Sequence, residues 1–258
     1  MSRALKLNSF NFKFKNLTNG KYITIRFIKY SGFKARRAAF SEMGRSLFLS
    51  WSAPGLVFAK HLGTGAGNGF SIFPDFSLYA WLGVWDTPDS AFTFFQTDPR
   101  WLSLISLSDE ISGWDGEPLK GKGTWNQLSP FDFSEADADW TGSIAVITRA
   151  SIRWSKALLF WWNVPSASKH LEGKEGLIYA KGVGELPLLE QATFSLWDSA
   201  RRLDQFAYQS KDHAPMIKKT RKYDWYKEEM FVRMKVVALV ASRQSTSISG
   251  ISIYSKLS

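Results

Sequence analysis

The sequence predicts an α+β protein made of two ferredoxin-like halves, each running strand, helix, strand, strand, helix. Three observations carry this. Elements of the same type recur in the same order within residues 22–108 and 142–241. Gly55-Leu56-Val57-Phe58-Ala59-Lys60 is echoed almost residue for residue by Gly176-Leu177-Ile178-Tyr179-Ala180-Lys181. Leu82-Gly83-Val84-Trp85-Asp86 is echoed more loosely by Phe194-Ser195-Leu196-Trp197-Asp198. Such a unit makes an antiparallel sheet with helices on one face. Two sheets can pack face to face or join edges into a barrel, which removes open edges.

The elements follow from residue periodicity. Ile23, Ile25 and Phe27 alternate with Thr24 and Arg26, which predicts a strand. Residues 34–48 gather Ala35, Ala38, Ala39, Met43 and Leu47 on one helical face. Gly55 to Lys60 reads as a second strand. A glycine-rich loop follows, and Leu78, Ala80, Leu82 and Val84 mark a third strand. The Asp86/Thr87-Pro88 signal starts a helix through Ala91, Phe94 and Phe95. In the second half Ile144, Val146, Thr148 and Ala150 alternate. Ser155 can cap a helix carrying Leu158, Leu159, Trp161 and Trp162, which Pro165 ends or kinks. Strands follow at Gly176–Lys181 and Phe194–Asp198, helices at about 199–209 and 213–226, and a last strand at roughly Phe231 to Val240.

Between the halves, residues 109–141 hold Asp109, Glu110, Asp115, Glu117, Asp132, Glu135, Asp137 and Asp139 against only Lys120 and Lys122. With their Gly, Ser and Pro content they read as an acidic linker or surface loop. Residues 1–21 form an N-terminal extension, and 242–258 a Ser-rich tail that reads as an edge strand or a loose end.

Composition narrows the function. The 258 residues include 20 Phe, 12 Trp and 8 Tyr, which favours a packed aromatic interior over disorder. The absence of Cys excludes disulfides, thiolate metal sites and cysteine nucleophiles. No apolar run approaches the roughly 18 residues of a membrane span. Met1 to Lys15 lacks the apolar stretch of a signal peptide, so the expected location is the cytoplasm. The net charge of +10 is compatible with nucleic acid or an anionic membrane face. The aromatic string of an RNA-recognition module is missing, so nucleic acid is not an expected partner.

Several constellations could carry chemistry. His213 shares a predicted helical face with Met216, Ile217 and Thr220, with Asp212 as cap. A histidine on an apolar helix face opposite an aromatic sheet has the geometry of a proximal haem ligand. The alternative is a core histidine bonded to backbone. His61 follows a strand and could reach a pocket, whereas His170 ends a helical segment where a cation suits the dipole. No HExxH or HxxxH spacing exists. The run Gly63 to Phe70 fails both phosphate-binding patterns, so its glycines serve tight turns or close approach. Arg149 and Arg153 are expected on one strand face, where they could pair ligand carboxylates such as haem propionates or the acidic segment. Lys60 and Lys181 hold equivalent places, either as an echo of the repeat or as charges at a barrel mouth. Glu228 and Glu229 are adjacent and do not suggest a catalytic pair.

The strings Phe58 to Phe70, Thr148 to Arg153, Lys181 to Pro187, Gln191 to Trp197 and His213 through Glu229 resemble the spheroidene monooxygenase family, in the same order, over residues 22 to 240. The resemblance implies a haem-dependent oxygenase that converts a terminal position of an acyclic carotenoid to a ketone. It also implies a dimeric α/β-barrel type of fold with a histidine on iron. Among the three histidines His213 matches the family pattern, and His61 has no counterpart. The expected haem b site is then His213 on iron, with Arg149, Arg153, Lys181, Phe194, Trp197, Met216 and Ile217 around the cofactor. Expected partners are an apolar substrate, an unidentified electron donor, a peripheral membrane contact and a second copy of the chain. Two alternatives remain: a haem-dependent dehydratase or peroxidase-like enzyme on a small polar substrate, and a non-enzymatic binding protein.

Overall fold

The alternation expected for the first strand is realised in β1 (Tyr22–Lys29), where Ile23, Ile25 and Phe27 enter one core. The computed structural model describes residues 22–67, 73–133, 139–163, 174–186, 189–209 and 224–243. The chain continues through α1 (Phe33–Ser46), β2 (Leu56–Gly65), β3 (Pro74–Trp85), α2 (Pro88–Thr97), α3 (Pro99–Ile105) and β4 (Glu110–Gly123). Next come β5 (Ile144–Ile152), a 3-10 turn (Trp154–Lys156), α4 (Ala157–Asn163), β6 (Leu177–Gly184), β7 (Glu190–Trp197), α5 (Ala200–Gln209) and β8 (Tyr226–Arg243). The cap expected for α2 is present: Thr87 Oγ1 accepts from the Ser90 amide at 3.2 Å, with Pro88 in the first turn. Asp98 does the same for α3 through the Trp101 amide, at 2.8 Å.

Eight strands of this one chain close a barrel in the order β1-β3-β2-β6-β7-β5-β8-β4, each neighbour antiparallel. β1 lies between β3 and β4, and β3 between β1 and β2. β5 lies between β7 and β8, and β7 between β5 and β6. The two four-strand sets therefore share one pairing scheme. They join along the short β2–β6 seam and the long β4–β8 pair.

The barrel interior is packed with Ile25, Leu82, Phe194, Ile147, Val232, Met234 and their neighbours. One end is stoppered by Trp125 and Phe131, which follow β4. Asn126 and Gln127 there have φ of 53° and 65°, a tight turn between Trp125 and Leu128. Glu228 holds that turn, accepting from the Asn126 amide at 3.0 Å, the Gln127 amide at 2.7 Å and Thr124 Oγ1 at 2.5 Å.

Two expectations change. Residues 110–123 of the expected acidic linker are β4, paired with β1 and β8 along its length. Its acids are engaged rather than solvated: Asp115 meets Arg26 at 2.5 Å and Glu117 meets Lys235 at 2.9 Å. Its glycines hide the strand period, and Gly113 is needed because a Cβ there would sit 2.0 Å from the Ile25 carbonyl oxygen. The helix expected at about 213–226 lies mostly outside the described residues. Asp224 and Trp225 lead directly into β8.

The outer face of the first four strands is filled by Tyr30, Trp51, Tyr79, Trp81, Trp85, Phe94 and Trp101 under α1, α2 and α3. Losing one such indole costs about 3–5 kcal/mol. His61 is wedged among them, its ring 6.4 Å from Trp51 and 5.8 Å from Tyr79. Among the described residues neither ring nitrogen has a partner. Burial, and then the Arg100 charge, lower its pKa to about 3. An unfolded histidine titrates near 6.5. Its contribution is therefore complete above pH 6.5 and is lost as pH falls toward 3, by about 1.4 kcal/mol per pH unit. Urea melts of His61→Phe should show a flatter stability profile between pH 6.5 and 5 than wild type. An identical slope would remove His61 as the cause.

Candidate functional site

Register alone shows where the two sheet faces differ. In the first strand set one row of outward positions runs His61–Trp81–Arg26–Gly113 across β2, β3, β1 and β4. The matching row of the second set runs Gly182–Thr193–Thr148–Phe231 across β6, β7, β5 and β8. The next row reads Gly63–Tyr79–Ile28–Ile111 in the first set and Gly184–Gln191–Ala150–Glu229 in the second. His, Trp and Arg are thus replaced by Gly, Thr and Thr, and Tyr and Ile by Gln and Ala. On β5, β6 and β7 the second face thus has a floor of smaller side chains where the first has stacked indoles, while on β8 Phe231 stands for Gly113 and Glu229 for Ile111.

Of these outward positions Thr148 is exposed, whereas Val146, Ala150, Gln191, Thr193 and Ser195 are buried. Thr148 is exposed in the middle of β5, although its neighbours Ile147, Arg149 and Ala150 are buried. Thr193 Oγ1 is buried and, among the described residues, has no hydrogen-bond partner. One end of the floor is closed by Ile144, Val146 and Trp197 packed against Leu203 of α5. Beyond the other end, Ile152 packs against Phe160 of α4 and Trp225. Thr193 thus places at the centre of this face one hydroxyl without a partner among the described residues.

The expected site residues do not all share this face. His213, Met216 and Ile217 lie outside the described residues, in the connection from α5 to β8. Arg149 and Phe194 point to the barrel interior, opposite to Thr148 and Thr193. The Arg149 side chain is 1% exposed and bonds Glu228 at 2.6 Å, Glu190 at 2.5 Å and Asn126 Oδ1 at 2.9 Å. Burial alone would raise the Glu228 pKa. The Thr124, Gln127, Arg149 and Asn126 donors overcome this and hold it at about 2. Arg153 follows the end of β5, half exposed, and pairs with Asp224 at 3.1 Å. The two arginines therefore do not share a face, and Arg149 is turned away from any ligand on the outer floor.

Lys181 also points inward, donating to the Gly67 carbonyl at 2.9 Å with Asp75 at 3.7 Å. Lys60 pairs with Glu185 at 2.5 Å, and Trp125 Nε1 donates to the same carboxylate. The equivalent lysines serve as interior ion pairs in both sets. Trp197 is on the outer face but lies beneath α5, 5.1 Å from the Phe206 ring. Thr148, Thr193, Gly182 and Gln191 lie within the strings that carry the family resemblance but are not among the expected site residues. The signal for them was present: the echo of Leu82–Asp86 in Phe194–Asp198, extended backward, sets Trp81 against Thr193. Among the described residues no group of three His, Asp or Glu is placed to hold a metal ion.

Comparison with known proteins decides the family. The chain is 34% identical over 180 residues to the spheroidene monooxygenase of Rubrivivax gelatinosus, covering 70% of this chain and 68% of the relative. It is 30% identical over 192 residues to that of Rhodobacter capsulatus, covering 73% and 79%. The chain belongs to the spheroidene monooxygenase family. The Cereibacter sphaeroides relative is 27% identical over 219 residues, covering 84% of this chain and 67% of the relative. As a member of the spheroidene monooxygenase family the protein is an oxidoreductase. No family model matches the chain. Among solved structures, an aldoxime dehydratase in complex with butyraldoxime aligns with a TM-score of 0.58 at 10% identity, over 84% of this chain and 80% of that one. A second aldoxime dehydratase gives 0.55 at 13%, over 84% and 82%. These likenesses concern the fold alone.

Proposed function

We propose that this protein is a haem-dependent monooxygenase that oxidises an apolar, carotenoid-like substrate to a ketone. The observation that carries the cofactor is the exchange of Trp81, His61 and Arg26 for Thr193, Gly182 and Thr148 between matching rows of the two sheet faces. We also infer that the matching rows descend from a duplicated half, one face kept as core and the other opened for a ligand.

Bound haem would supply the oxygen activation. The protein's share is steric and polar. Gly182 adds no side chain to the row, Val146 and Ala150 would keep water off the floor, and Thr193 Oγ1, without a partner among the described residues, would offer a hydrogen bond at its centre. His213 is the proposed iron ligand from the α5–β8 connection. His61 is unsuited, since its ring is enclosed by Trp51 and Tyr79 on the first face. Arg149 and Lys181 are assigned to holding the barrel together.

A second reading keeps the haem but takes a small polar substrate. The hydroxyls of Thr148, Thr193 and Ser195 and the Gln191 amide on the same face favour it. Aerobic incubation of haem-loaded protein with a reductant and either an acyclic carotenoid or an aldoxime separates the two. A ketone formed only from the carotenoid supports the first reading. Turnover of the aldoxime alone would replace it with the second.

A further inference from the structure

The helix α1 is an unusual cover for a sheet, since only Ala39 of its 14 residues is buried. It presents Phe33 (83% exposed), Phe40 and Leu47 at heptad spacing along one exposed stripe. Phe48, just beyond its end, is 93% exposed. Phe76, at the start of β3, places its ring 5.6 Å from that of Phe40, and Phe73 beside it is 68% exposed. Helix and hairpin thus form one aromatic surface. Lys34, Arg36, Arg37 and Arg45 are exposed among these rings. The acids nearby are engaged: Glu42 pairs with Arg100 at 2.6 Å and with Arg45, and Asp75 pairs with Lys181.

We propose that α1 and the start of β3, with Phe73 and Phe76, dock the protein on an anionic lipid bilayer. Exposed apolar rings interleaved with cations, of which Lys34, Arg36 and Arg37 have no ion pair among the described residues, are what such a surface accepts: rings enter the headgroup boundary while arginine and lysine meet lipid phosphates. A two-fold pairing of the same patch would set its four cations against their own copies. The docking surface adjoins the candidate site. Met43 of α1 lies over Gly63, so close that a Cβ there would be 3.1 Å from its sulfur. The strand partner of Gly63 is Gly184, on the edge of the small-residue floor. A bilayer-held apolar substrate is thereby presented one strand away from that floor, and this last step rests on the proposed function.

The test is flotation of the full-length protein, without haem or substrate, with vesicles of phosphatidylcholine alone or mixed with phosphatidylglycerol. Wild type should partition onto the mixed vesicles, less so as salt rises. Lys34→Ala/Arg37→Ala should weaken partitioning about thirtyfold. Phe40→Ser/Phe48→Ser, at exposed positions, should weaken it about tenfold or more, with unchanged far-UV circular dichroism. Equal binding to both vesicle types, or variants that partition as wild type, would overturn the proposal. So would a concentration-dependent dimer in sedimentation velocity that the Phe variant dissolves while vesicles are not bound. Haem affinity measured on the same variants should stay at the wild-type value. A failed docking surface is thus told apart from a failed cofactor assignment.

Discussion

Thr193→Trp should abolish haem binding while leaving the protein folded. The substitution restores at the centre of the second face the indole that Trp81 places at the centre of the first. Its row neighbours are Gly182 and Thr148, one without a side chain and the other exposed, so no large side chain within the row opposes the ring. There it fills the space proposed for the macrocycle. A steric cost of about 3 kcal/mol already lowers affinity by about a hundredfold. Thr193→Val, which keeps the volume and removes the hydroxyl, should change affinity far less. Absorption titration with haem checks both, with a urea melt to show that Thr193→Trp remains folded. Wild-type affinity in folded Thr193→Trp would move the cofactor off this face.

The second large effect concerns stability rather than the cofactor. Arg149→Met should destabilise the fold by about 3–5 kcal/mol, because it leaves Glu190 and Glu228 facing an interior without their shared cation. The stacked Trp125 ring, 5.1 Å from the guanidinium, and the turn at Asn126 lose support as well. Adding Glu190→Gln and Glu228→Gln should recover most of the loss, since neutral amides can bond each other. Urea denaturation at pH 7 reads the difference. The folded fraction of Arg149→Met should bind haem as wild type does. A variant of normal stability with weakened haem binding would instead place Arg149 at the cofactor.

The order and type of most elements were legible in the sequence, because hydrophobic alternation and capping survive in this chain. β1, β3, β5 and β7 follow Ile23–Phe27, Leu78–Val84, Ile144–Ala150 and Phe194–Trp197, and α2 begins at Thr87 as its Pro88 requires. β4 was hidden because its charges pair across strands and its glycines admit neighbouring backbone, both of which look like loop composition. The site was harder for a different reason. Chemistry-bearing side chains such as Arg149 and Lys181 draw attention, yet strand alternation turns them into the barrel. The floor of the candidate site is made of what is missing, Gly182 in place of His61 and Thr193 in place of Trp81. Such an absence has no motif: the sequence echo sets Trp81 against Thr193, and register between the two strand sets supplies the rest of the row.

In the proposed site haem lies on the second sheet face with His213 as its ligand. The most direct measurement is an absorption titration of wild type and His213→Ala with haem, before and after reduction. A saturable one-to-one Soret band is expected in wild type, and His213→Ala should lose it while its far-UV circular dichroism is unchanged. Unsaturable absorption in wild type, or the same bound spectrum in His213→Ala, would contradict it.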